Sequence, residues 1–172
     1  MSSGSSIPEV VEYCLTWNFR RGRVGVPMSQ EEAEARNESG EEYTAVVSVP
    51  GGGQPALVTV AWKNEYASTQ FLDERGRRNV KYVFRKVDGS RMFLNSVLVW
   101  TYPNDNPKLT LNQASRIEET SFREDGYVKL VEIDKDKNEK ITSEYTDVPV
   151  EANWEPVPDF GDYASMVRWE RQ

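Results

Sequence analysis

The sequence contains no histidine. That removes the commonest general base, the commonest zinc ligand and the usual proximal haem ligand. It also excludes any Ser-His or Cys-His nucleophile built within the chain. Cysteine is nearly absent too: Cys14 stands alone, so no intrachain disulfide can form. Nothing beside Cys14 except the arginines that follow favours a thiolate, so it reads as a small buried apolar residue. Net positive charge is also missing. A formal charge of −7 argues against general binding to nucleic acid or to an anionic membrane, both of which need a positive surface. No apolar run is long enough to span a bilayer, and "MSSGSSIPEV" lacks the basic and apolar regions of a secretory signal. Together these features suggest a soluble protein, with the cytoplasm as the default compartment.

What is present suits a globular domain. The chain has 172 residues, 38% of them hydrophobic, enough to bury a core without covalent staples. Residues 1–8 read as a flexible tail and 9–172 as a single β domain.

Period-two alternation is the dominant signal. In "EYCLTWNF", Tyr13, Leu15, Trp17 and Phe19 alternate with Cys14, Thr16 and Asn18, as expected of a half-buried strand. "YTAVVSVP" places Tyr43, Ala45, Val47 and Val49 on one side. "ALVTVAW" does the same with Val58, Val60 and Trp62. Turn signals then recur as "DERG" (73–76), "VDGS" (87–90), "REDG" (123–126) and "DKDKNE" (134–139). Asp, Asn and Gly accept the positive φ of tight hairpins or bond back to their own backbone. In "RMFLNSVLVWTY", Met92, Leu94, Leu98, Trp100 and Tyr102 share one face and Phe93, Val97 and Val99 the other. Apolar residues on both faces call for a cover: a helix, a terminal segment or a second subunit.

Two stretches break the pattern. "MSQEEAEARNESG" predicts a short surface helix near 29–38, with Ser29 and Glu32 as a capping box and Gly40 ending the run. "YPNDNPKLTLNQAS" reads as a loop. Residues 149–162 form an extended Pro-containing segment before a C-terminal strand or short helix. The strand is favoured, because Trp169 would then join an inward face.

The expected fold is therefore mainly β: one antiparallel meander of about eight to ten strands closing into a barrel, with a β-sandwich as the alternative. In strand number and hairpin connections this resembles the calycin barrels, the lipocalins and fatty-acid-binding proteins. The resemblance is architectural, with no family motif behind it.

"IDKDKNEKITSEY" begins like a calcium loop, with Asp134, Asp136 and Asn138 alternating. It has Glu139 where such a loop needs glycine and Tyr145 where it needs a bidentate carboxylate, and its flanks alternate like strands. It reads as a hairpin turn. No metal or cofactor is implied.

Three functions follow. The first is a non-enzymatic barrel holding a small apolar, amphipathic or anionic ligand. Its lining would be Trp17, Phe19, Trp62, Tyr82, Phe84, Leu98 and Trp100, with Arg21 or Arg23 at the mouth presenting a bidentate fork. The second is an interaction module or homodimer using strand 91–102, or an acidic partner docking on the basic hairpin 75–91. The acidic run Glu31, Glu32, Glu34, Glu38, Glu41 and Glu42 is a possible intramolecular counterpart to that hairpin. The third, and weakest, is an enzyme working without histidine on an internal ligand, with no catalytic residue identifiable.

Overall fold

A computed structural model describes residues 7–168. The expected flexibility of residues 1–8 and the placement of Trp169 therefore fall wholly or largely outside the described residues. The strands are β1 (Glu9–Asn18), β2 (Arg23–Met28), β3 (Tyr43–Ser48), β4 (Ala56–Ala61), β5 (Tyr66–Leu72) and β6 (Arg78–Lys86). They continue with β7 (Arg91–Thr101), β8 (Arg116–Phe122), β9 (Val128–Asp134), β10 (Glu139–Tyr145) and β11 (Trp154–Pro156). Among the described residues there is one α-helix, α1 (Gln30–Ser39), between β2 and β3.

All pairings are antiparallel, and the order β10-β9-β8-β7-β6-β5-β4-β3-β1-β2 forms one meander, with β11 added beside β7. The expected barrel does not close, because β2 and β10 are opposite ends of the sheet and do not pair. Their sequences suit open edges: β2 carries Pro27, which cannot donate to a ladder, and β10 is almost wholly exposed. The "DKDKNE" turn joins β9 to β10. There the Asp134 carboxylate accepts from the amides of Asp136 and Lys137, and Asn138 takes a φ of 52°.

The first face of the sheet carries the main core. Tyr43, Ala45 and Val47 pack beside Val58 and Val60, then Ala67 and Phe71, then Val80, Tyr82 and Phe84. This is the alternation expected of β3 and β4, and β6 repeats it. Two covers seal that face. The first is α1, capped by the Ser29 hydroxyl accepting from the Glu32 amide at 3.1 Å. Gly40 ends α1 at φ 84°, where a Cβ would stand 2.9 Å from the Lys63 backbone nitrogen. This helix is not merely a surface excursion, since Ala33 is fully buried in the core. Asn37 accepts from both the Tyr43 hydroxyl (2.8 Å) and the Trp62 indole (3.1 Å).

The second cover is the C-terminal segment. Phe160 stacks on Tyr13 with centroids 5.2 Å apart, and the Tyr163 hydroxyl lies 2.7 Å from that of Tyr43. Thr69 donates to the Met166 carbonyl at 2.8 Å. Residues 164–167 form a short 3-10 helix and not the favoured strand, so they lie across the sheet and do not extend it.

Two bulges overturn the strict alternation expected of β1 and β7. In β1 the register shifts around Thr16, so Tyr13 faces the main core while Trp17 and Phe19 join Cys14 on the second face. An extra residue reverses every side chain beyond it. In β7, Asn95 is passed over between Leu94 and Ser96, so Met92 and Leu94 share a face with Val97 and Val99. Phe93 points the other way. It is covered by a terminal segment, as one reading allowed: Trp154 of β11 packs edge-on against it at 5.1 Å.

Candidate functional site

The second face of β1 and β3–β6 is partly polar by sequence: Thr44, Thr59, Ser68 and Gln70 alternate with the core residues. A small apolar cluster of Cys14, Val46 and Leu57, with Trp17, Phe19, Val24 and Leu72 against it, covers only part of this face. Beside the cluster lies a groove of about 620 Å³. Trp17 and Phe19 line one side, and Lys81 and Arg78 contribute from β6. Thr44, Leu57, Thr59 and Ser68 also line it.

Three buried polar atoms around this groove have no hydrogen-bond partner among the described residues: the Ser68 hydroxyl, the Trp17 indole nitrogen and the Arg78 Nε. Ser68 is fully buried. An unpartnered buried donor or acceptor costs roughly 1–3 kcal/mol, so three at one groove are a concentrated debt unless something fills it. By contrast, Thr44 and Thr59 satisfy each other at 2.8 Å. The Arg78 guanidinium stacks over Phe19 at 4.0 Å, and burial lowers its pKa from the ordinary arginine value, with the nearby Tyr102 phenol acting in the opposite sense.

A second cavity of about 550 Å³ adjoins the first, with Phe19 and Arg78 lining both. Its outer wall is the 102–115 loop, read correctly as a loop from its prolines. Arg77 anchors that loop: its Nε donates to Asp73 at 2.8 Å, and its Nη1 donates to the Asn104 and Asn106 carbonyls at 2.6 and 3.2 Å. Tyr102 lies 4.3 Å beneath the same guanidinium and donates to the Arg78 carbonyl at 2.7 Å.

Of the residues expected to bind ligand, the fold brings together Trp17 and Phe19 at the groove. Tyr82 and Phe84 lie on the opposite face, buried in the core. Trp62 is half-buried against that core, with its indole committed to Asn37 and Lys86 placed 5.2 Å over its ring. Leu98 and Trp100 sit on the second face but further along the sheet, opposite Lys81 and Ile117 respectively, and neither lines the groove. Arg21 and Arg23 are exposed at the β1–β2 turn and line neither cavity.

The basic hairpin is largely paired within the chain. Arg77 meets Asp73 at 2.8 Å, Arg85 meets Glu124 at 3.1 Å and Arg91 meets Asp88 at 3.2 Å. These partners are not the glutamates around α1, where Glu32 pairs with Arg36 and Glu41 with Lys63. Asp88 also accepts from the Ser90 amide and hydroxyl, which with Arg91 holds its carboxyl down at about 2. Among the described residues, no helix is long and apolar enough to cross a membrane, and no group of three or more acidic or cysteine side chains is placed to hold a metal.

Ser68 and Arg78 were missed by sequence reasoning. A serine alternating with core residues looks like any solvent-facing position. Arg78 acquires its face only from the register shift opposite Phe71 and Leu72. The chain matches no protein-family model, no curated protein and no solved structure.

Proposed function

We propose that the protein binds a small amphipathic molecule in the groove on the second face of its sheet. The observation that carries this reading is the Ser68 hydroxyl, fully buried at the groove and without a partner among the described residues. A ligand with one polar edge would satisfy Ser68 and the Trp17 indole by displacing the side chains that now bury them, while its apolar part lay against Trp17, Phe19 and Leu57. That combination of an apolar wall and a few placed polar atoms is the usual makeup of small-molecule sites, and the volume is in their range.

Holding a ligand fits these residues better than transforming one. A serine nucleophile needs a base hydrogen-bonded to it, and Ser68 has none among the described residues. The ligand sits on an open sheet and not inside a closed barrel, so the inward aromatics Tyr82 and Phe84 serve as packing.

Calorimetric titration with α-naphthol tests the reading. A ring bearing one hydroxyl matches the groove, so wild-type protein should give saturable heat. Gln70→Trp, which projects bulk into the groove, should abolish it while leaving the circular dichroism spectrum intact. Absence of heat with the wild type, or unchanged binding by the plugged variant, would overturn it.

A further inference from the structure

Resting on that reading, we propose that the ligand is an organic anion, and that its carboxylate or phosphate is taken by Arg78 at the junction between the groove and the adjoining cavity. Arg78 is placed for this in a way the other arginines are not. It alone among them lines both spaces, and Phe19, on which it stacks, is the ring they share. Its Nε is buried and lacks a hydrogen-bond partner among the described residues. Neighbouring Arg77, by contrast, is consumed by Asp73 and the loop carbonyls.

The charge on the adjoining-cavity side of Arg78 is one-sided, whereas Glu42 is among the residues that line the groove. Arg20, Arg77 and Lys108 line the adjoining cavity with Arg78, and no carboxylate is among that cavity's lining residues. Arg77 is balanced by Asp73, so Arg20, Arg78 and Lys108 are the positive groups left to this cavity in a chain whose formal charge is −7. A guanidinium kept half-buried on an aromatic face is weakly hydrated and presents a planar fork, the geometry that matches carboxylate and phosphate oxygens. The aromatic remainder of the ligand would extend along Trp17 toward Ser68. This moves the anion-binding role from Arg21 and Arg23, which line neither cavity, to Arg78.

Three ligands with one ring system separate the claims: α-naphthol, α-naphthoate and α-naphthyl phosphate. Wild-type protein should bind the two anions at least about tenfold more tightly than the neutral alcohol, an advantage that shrinks as salt is added. Arg78→Met, which keeps an apolar stem over Phe19, should bring both anions down to the affinity that the same variant shows for naphthol. Arg78→Lys should restore part of the preference. Whichever anion binds more tightly identifies the headgroup as carboxylate or phosphate. Arg20→Ala combined with Lys108→Ala, both at exposed positions, should weaken the anions by a smaller factor and does not depend on Arg78→Met folding. Equal binding of all three ligands to the wild type would overturn the anion claim and leave the groove standing. So would an anion preference that survives Arg78→Met. Binding of none of the three would overturn the groove and the anion claim together.

Discussion

The guanidinium of Arg78 lies 4.0 Å from the centre of the Phe19 ring, joining the first residue of β6 to the residue just after β1. Four strands separate these positions in chain order and three of them, β3 to β5, still lie between β1 and β6 in the sheet, so the two side chains meet across the second face. A partly buried contact of this kind is worth about 0.5–2 kcal/mol. Phe19→Leu keeps the apolar bulk and loses the ring, so its unfolding free energy in urea titration should fall by an amount within that range, with a lower midpoint. An unchanged midpoint would show that the stacking contributes nothing.

Ser68 offers a sharper contrast between stability and function. Ser68→Ala removes a buried hydroxyl that has no partner, at almost no loss of volume. The ligand-free protein should become more stable by about 1 kcal/mol. The same substitution should weaken α-naphthol binding. A variant both less stable and equally able to bind would contradict the role given to the groove.

The tyrosine cluster on the first face sets a limit at high pH. Burial pushes Tyr13 up to about 12 and raises Tyr43 and Tyr163 as well, with the neighbouring Tyr163 phenol adding to the rise at the first two. A folded pKa above the unfolded one means the unfolded chain releases its protons first as the solution turns alkaline. The stability these groups contribute is therefore complete below the ordinary tyrosine value of about 10 and is lost as pH rises through the folded values. Phenolate absorbance from this cluster should appear together with loss of the near-ultraviolet circular dichroism signal. Ionisation of the cluster with the fold intact would refute the burial argument.

Much of the sheet could be read from the sequence, and the reasons are local. The alternation in β3 and β4, the hairpin turns, and the Ser29 and Gly40 ends of α1 follow from side-chain period and turn chemistry. Closure was not legible, because alternation is the same in an open sheet and in a barrel, and only the pairing of β2 with β10 distinguishes them. The bulges at Leu15 and Asn95 were hidden as well. Each reversed the side chains beyond it, which is why Trp17 and Tyr13 part company and why Met92 faces Val97's side. The site was legible only in Trp17 and Phe19. Its polar members look ordinary in sequence and become distinctive only when burial leaves them without partners.

The groove is tested most directly by the nuclear magnetic resonance signal of the Trp17 indole N–H. The chain has five tryptophans, so there are five indole signals, and Trp17→Phe identifies the one in question. The Trp17 indole nitrogen has no acceptor among the described residues, whereas that of Trp62 is held by Asn37 at 3.1 Å. On titration with α-naphthol the Trp17 signal should move saturably while the Trp62 signal stays in place. A Trp17 signal that remains fixed at saturating naphthol, or a uniform drift of all the indole signals, would contradict a binding site on this face.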